Sequence, residues 1–471
     1  MRTGRHPLNA RWLLVVLMAF VSHASATSWN EKVIYSFQGG ATDGSDPAGG
    51  VVFDKQGNLY GATTGGGPDN CFPIASECGL VFELSPPTKK GDPWTETILY
   101  QFKGKTSNDA SVPAGGVILD AAGNVYGTTA YGGTGDCVLL GTSAGCGTVY
   151  ELSPPAKKGD PWTETLLYSF KSGDDGYFPW GALTFDAKGN LYGATQFGGG
   201  KGNSCNEFYG GNCGTVFELS PPKQKGGQWT EKVLHSFGGI ASGKRSGDGA
   251  NPNGGLVFDQ SGTIYATAQS GGYNCAHSSG QGCGTILKLV APEGGRGKWV
   301  EVILYSFKGA PNDTGTPNGS LVFDRRGRLY GTTVGGGGSA DDGAVFELAP
   351  LPKRGSNWRE SLLQTFVNEG DPSGANPRGG LIFGSAGDLY GTANSAGAHS
   401  DGTFFRLSPS GDEGNGPNFK RLYSFEGSPD GAFPAGELIL DNLANLYGAT
   451  QSGGTGSACQ GGCGTVFEVS R

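Results

Sequence analysis

The chain has 471 residues, of which 88 are glycine and 26 proline, roughly twice the ordinary share of these turn formers. This argues against a helical bundle, where each interior glycine costs about 1 kcal/mol relative to alanine, and the lack of a G-X-Y period excludes collagen. With 11% aromatic and 36% hydrophobic residues in short runs, disorder also fits poorly, and a net charge of −8 argues against nucleic acid or an anionic membrane as partner.

The first 26 residues read as an export signal. Arg2, Arg5 and Arg11 form a positive start, and Trp12 to Val21 is an apolar stretch too short to span a bilayer. Ala24-Ser25-Ala26 is an A-x-A cleavage site, so the mature chain is expected to begin at Thr27. The residue directly after that site is Thr27 and not a cysteine, and no later segment is apolar enough to cross a membrane. The expected destination is secreted, periplasmic or cell-surface, and the expected state is a monomer.

From Trp29 onward one unit recurs seven times. Aligned on the tyrosine of N-L-Y-G-A-T, the copies carry Tyr60, Tyr126, Tyr192, Tyr265, Tyr330, Tyr390 and Tyr447. Each copy contains four strand-like pieces rich in Val, Ile, Leu, Tyr and Phe, with turn residues between them. Piece a is the G-G-V-V-F-D type (49–54 in the first copy), b the N-L-Y-G-A-T-T type, c the G-T-V-F-E-L type and d the W-T-E-T-L-L-Y-S-F type. Pieces a and b are joined by D-x-x-G, a tight turn that makes them a hairpin.

Four antiparallel strands repeated seven times predict an all-β, seven-bladed β-propeller over 27–471. The short, glycine-led a belongs beside the axis, and d, with its polar Thr and Glu, at the rim. The mature chain starts with a d piece (29–37) and ends with a c piece (465–469). The N-terminal strand is therefore expected to close the last blade, which removes two exposed edges. The tryptophans that open d (Trp29, Trp94, Trp162, Trp229, Trp299, Trp358) recur at one blade position and read as packing residues.

Ten cysteines fall in five local pairs: Cys71/Cys78, Cys137/Cys146, Cys205/Cys213, Cys275/Cys283 and Cys459/Cys463. All lie in b–c loops, where short spacing and export predict disulfides. No metal site and no cofactor is expected. Strand alternation puts the b–c loops on the same face as a second motif, D-G-x-x-P ahead of a, whose acids are Asp43, Asp109, Asp175, Asp248, Asp313 and Asp430. These acids read either as a carboxylate ring at the channel mouth or as caps of their own turns; the second is preferred, because a residue repeated in six blades is architectural.

Departures from the repeat are better pointers to a site. The residue after each motif proline is Ala48, Ala114, Trp180, Asn253, Asn318, Arg378 or Ala435. Trp180, its neighbours Tyr177 and Phe178, Arg378, Asp175, Asn253 and Asn318 are the candidate ligand contacts, since aromatics beside amides and acids suit sugar-ring stacking. The b–c loops add Tyr131, Phe197, Phe208, Tyr209, Tyr273, His277 and His399.

The string G-G-L-x-F-D-x-x-G-N-L-Y-G-T-T…G-x-V-F-E-L-S-P…W-x-E-x-x-L-Y-S-F, clearest at 181–237 and 319–366, resembles the GloVer (choice-of-anchor) tandem repeat of secreted bacterial proteins. The resemblance spans about 29–471 and implies an exported, propeller-like protein without an assigned activity. Together these features lead us to expect a binding module for carbohydrate or another extracellular partner. The rival is a polysaccharide hydrolase or lyase using Arg378, Glu437, Asp175 and His399. A structural surface or matrix protein is the third reading. No H-E-x-x-H or phosphate loop occurs.

Overall fold

The computed structural model describes residues 29–471, apart from 69–70, 72–76, 140, 201–212, 225, 240–246, 274–281, 296, 312, 339–340, 352–357, 368–371 and 410–415. The export signal expected over 1–26 lies outside the described residues. Seven antiparallel sheets form the blades of a propeller, each with its strands in the order a-b-c-d. Blade 1 consists of Val52–Phe53, Leu59–Thr63, Leu80–Ser85 and Thr95–Gln101. Blade 7 takes Ile439–Leu440, Leu446–Gly453 and Thr465–Ser470 from the C-terminus and its outer strand, Asn30–Ser36, from the N-terminus. The register Asn30↔Ser470 to Ser36↔Thr465 is the predicted closure. No helix among the described residues is long and apolar enough to cross a membrane.

The innermost strand differs from expectation. Only the second half of piece a joins the ladder, as Val52↔Tyr60 and Phe53↔Leu59 in blade 1. The D-G-x-x-P segment pairs instead with the far end of strand b, as in Gly44↔Gly66 and Gly431↔Gly453. The residues between, led by Gly49 in blade 1, leave the sheet and run past the axis. Each outer strand also carries a bulge against strand c, for instance between Val33 and Tyr35. The extra residue re-aims the following side chain.

Packing between blades is aromatic and repeats round the ring. Six of the seven outer-strand Phe are sealed against an aromatic of the next blade's c strand, as in Phe37–Phe82 at 5.0 Å, Phe102–Tyr150 at 5.1 Å and Phe425–Phe467 at 5.1 Å, while Phe237 packs with Leu287. The b-strand tyrosine of one blade meets the a-strand Phe and the d-strand Trp of the next; Tyr447 of blade 7 touches Phe53 and Trp94 of blade 1. The tryptophans are packing residues, as expected. Such edge-to-face pairs add about 0.5–1.5 kcal/mol each beyond their buried area. Their repetition across the blade 7–blade 1 junction shows a ring closed as tightly there as elsewhere.

Cys71–Cys78, Cys137–Cys146 and Cys459–Cys463 are disulfides. Cys213 and Cys283 are disulfide-bonded as well, while Cys205 and Cys275 lie outside the described residues. Bridges of this number fit an oxidising compartment.

Candidate functional site

The site is presented by one turn used seven times. The residue before each motif proline has a left-handed backbone: Asp46, Val112, Phe178, Asn251, Thr316, Asn376 and Phe433, all with φ of 54–59°. For valine, threonine and phenylalanine this is strained. Its N–H donates to a carbonyl of the preceding blade, and in five junctions that carbonyl belongs to the second cysteine of a pair. Val112 N donates to Cys78 O at 2.8 Å, Phe178 N to Cys146 O at 3.0 Å and Asp46 N to Cys463 O at 2.9 Å. Asp342 and Asp401 supply the carbonyl where the cysteines are missing, to Asn376 and Phe433. The staples thus hold the acceptors that lock the turns, and the turns aim the residue after proline at the axis.

Those residues converge on a channel cavity of about 640 Å³. Its mouth is lopsided. Blades 3 to 6 contribute Trp180, Asn253, Asn318 and Arg378 in order, whereas blades 7, 1 and 2 contribute Ala435, Ala48 and Ala114. An aromatic and polar arc therefore faces an arc of methyl groups. Gln196, Gln269 and Gln451 join the wall, and Gln196 Nε2 donates to Asn253 Oδ1 at 3.0 Å. Trp180 is half-buried, while Arg378 and Glu437 are exposed. Among the described residues neither of these two charged side chains has a hydrogen-bond or ion-pair partner. Below the mouth the wall turns apolar, with Val52, Ile118, Val257 and Val322.

The cavity waist is a ring of seven glycines: Gly49, Gly115, Gly181, Gly254, Gly319, Gly379 and Gly436. A Cβ on Gly115 would lie 2.8 Å from Gly181 O, one on Gly319 2.6 Å from Gly379 O, and one on Gly436 2.6 Å from Gly49 O. Backbone of one blade rests on backbone of the next, which leaves no room for a side chain.

The other candidates are placed elsewhere. Tyr177 and Phe178 are each 5% exposed, packed with Tyr131 and Phe197 at ring distances of 4.6–5.8 Å. Asp175 accepts from Tyr168 Oη and Lys171 N, both at 2.7 Å, and burial raises its pKa. It caps a turn, and so do its counterparts. Asp43 and Asp109, for example, each take two backbone N–H groups and a tyrosine hydroxyl of the preceding blade. The acids sit between blades near the rim, not round the mouth.

His399 is exposed, 3.8 Å from Glu426. Phe208, Tyr209 and His277 lie outside the described residues. The glutamines of the wall were missed by sequence reasoning. Their signal was the variable position four residues after the repeat tyrosine: Thr64, Ala130, Gln196, Gln269, Val334, Asn394 and Gln451.

One further group of residues recurs at five of the junctions. Glu31, Glu96, Glu164, Glu231 and Glu360 of the outer strands lie beside the turn aspartates. Burial first, and the neighbouring aspartate second, raises every one of their pKa values, to about 8 for Glu31 and about 7 for Glu164 and Glu231.

Three solved structures are similar to the chain at low identity. A protein of unknown function from Dyadobacter fermentans is 11% identical with a TM-score of 0.43, covering 94% of this chain and 98% of its own. A putative oxidoreductase (glucose dehydrogenase) from Thermus thermophilus is 16% identical, TM-score 0.38, covering 77% and 97%. A gluconolactonase from Xanthomonas campestris is 13% identical, TM-score 0.32, covering 68% and 78%. No curated protein matches the sequence. The repeat model itself matches at 20–278, 75–346, 204–416 and 337–471, which is every blade described above, and the chain accordingly belongs to the Gloeobacter/Verrucomicrobia repeat family.

Proposed function

We propose that the protein is an exported seven-bladed propeller, with a signal peptide over 1–26 and a single domain over 27–471, that binds carbohydrate at the lopsided end of its channel. The observation that carries this reading is the convergence of Trp180, Asn253, Asn318 and Arg378 from four consecutive blades on one cavity, opposite three alanines. In a repeat protein one ligand needs unlike residues in one place, and this is where the repeat is broken. An indole face supplies stacking area, and amides and a guanidinium supply hydrogen bonds to hydroxyls. The disulfide-backed turns hold these groups rigidly, which lowers the ordering cost of binding.

Hydrolysis by a carboxylate pair has less support. Among the described residues the cavity wall holds one carboxylate, Glu437, whereas glycoside hydrolysis ordinarily needs two. Asp175 is a turn cap and His399 is not part of the wall.

The test is a thermal-shift and tryptophan-fluorescence screen against oligosaccharides and polysaccharides, with Trp180→Ala in parallel. One sugar class should raise the melting temperature of the wild type and lose its effect in the variant, with no new reducing ends or unsaturated products. A shift that survives in Trp180→Ala, or none with any sugar, would overturn the site; product formation would overturn the binding-only role.

A further inference from the structure

Five blade junctions carry the same pin. A tyrosine near the end of one outer strand donates to the turn aspartate of the next blade, and a glutamate of that blade's outer strand lies beside both. The sets are Tyr35/Asp43/Glu96, Tyr100/Asp109/Glu164, Tyr168/Asp175/Glu231, Tyr305/Asp313/Glu360 and Tyr423/Asp430/Glu31, with Tyr–Asp distances of 2.7–3.2 Å. Between blades 5 and 6 all three positions change together, to Gln364, Ser373 and Phe419. Where the acids go, the tyrosine goes too.

The junction of blades 3 and 4 breaks that rule. Both acids stay, as Asp248 and Glu301, but the tyrosine is replaced by His235. An imidazole nitrogen now stands where a hydroxyl stands in the other sets. His235 Nε2 lies 3.3 Å from Asp248 Oδ2, and the two side chains are only 13% and 20% exposed. One ligand atom from each of His235, Asp248 and Glu301 lies within 4.8 Å of the other two. Tetrahedral coordination with bonds of about 2.0–2.1 Å has ligand–ligand edges of about 3.3–3.4 Å, so the His–Asp edge is already formed.

The second Asp248 oxygen is held by Gly238 N at 2.8 Å, and the His235 ring stands edge-on to Phe237 at 4.8 Å. Both contacts orient ligands from outside, as metal sites require. A neutral imidazole and two carboxylates carry a charge that a dication balances. The three groups come from three separate segments, so no ligand spacing is visible in the sequence.

We propose that His235, Asp248 and Glu301 bind a divalent transition-metal ion of the Zn²⁺ type, with one position left for water, as a clasp between blades 3 and 4. This is independent of the carbohydrate site. Its rival is a plain hydrogen-bonded pin in which His235 merely stands in for tyrosine.

The experiment compares the chelator-stripped, disulfide-bonded protein with His235→Tyr. That variant restores the pin found in five other junctions, so its folding is expected to be intact. ZnCl₂ is titrated by calorimetry, and bound zinc is counted by native mass spectrometry. The wild type should bind one more Zn²⁺ than His235→Tyr, and zinc should raise the melting temperature of the wild type alone. Asp248→Asn should weaken the same site by at least about tenfold, the lower end of what losing even an outer partner of a metal ligand costs. Equal zinc stoichiometry in wild type and His235→Tyr, including none in either, would overturn the proposal whether or not Asp248→Asn folds.

Discussion

Gly115 and Gly116 are adjacent, yet alanine should have opposite effects at the two. Neither has a left-handed backbone, so an alanine meets no intrinsic strain at either position. A Cβ on Gly115 would meet Gly181 O at 2.8 Å, Trp180 O at 2.9 Å and Gly181 C at 3.0 Å. All three are backbone or carbonyl atoms of a neighbouring blade, locked in the same ring, and none can swing aside. A Cβ on Gly116 would find nothing nearer than Gly50 N at 3.5 Å, an ordinary contact.

Both substitutions remove freedom from the unfolded chain, which stabilises by about 0.4–1 kcal/mol. Only Gly115→Ala adds overpacking, about 1–3 kcal/mol. The entropy gain is common to both, so the variants should differ by about 1–3 kcal/mol, with Gly116→Ala the more stable and at or above wild type. Chemical denaturation of the three proteins, at equal disulfide content, reads this directly. Equal stability of the two variants would show that the waist yields, and the close-packed glycine ring would then be the wrong account of why this position is glycine in every blade.

Stability should also fall as pH rises. The inter-blade glutamates, with an ordinary pKa of 4.5, are raised to about 8 at Glu31 and about 7 at Glu164 and Glu231. Below pH 4.5 they are protonated in both states. Above it the unfolded chain ionises first, and stability is lost until the folded groups ionise near pH 7–8. Melting temperature should therefore decline from about pH 5 to 9, and Glu31→Gln should flatten the decline; a rise over this range would contradict the assignment. Thr316, a β-branched residue at φ 58°, should gain about 1 kcal/mol on replacement by asparagine, which tolerates that backbone. Asparagine already occupies the same turn position at 251 and 376. Unchanged or lower stability of Thr316→Asn in denaturant titration would show that the turn is not strained.

Much of the fold is legible in the repeat because strands and hairpins are local. Alternation, D-x-x-G turns and a d piece ahead of the first a piece suffice to predict seven blades, their strand order and the closing strand. Tryptophan recurring at one blade position suffices to predict packing. How far a loop residue lies from the axis is not local, and only the assembled ring decides it. The turn aspartates read as turn caps from the repeat alone, but that the outer-strand tyrosines hold them at the blade junctions is visible only in the assembled ring. Tyr177, Phe178 and Trp180 are neighbours in sequence, yet the reversed backbone at Phe178 turns two of them into the blade and leaves the third facing the cavity. His235 looks like a conservative swap for tyrosine until Asp248 and Glu301 are brought beside it. Periodicity specifies what every blade shares; the site is made of what the blades do not share, and those side chains meet only when backbone-to-backbone contact round the glycine waist sets the radius of the ring.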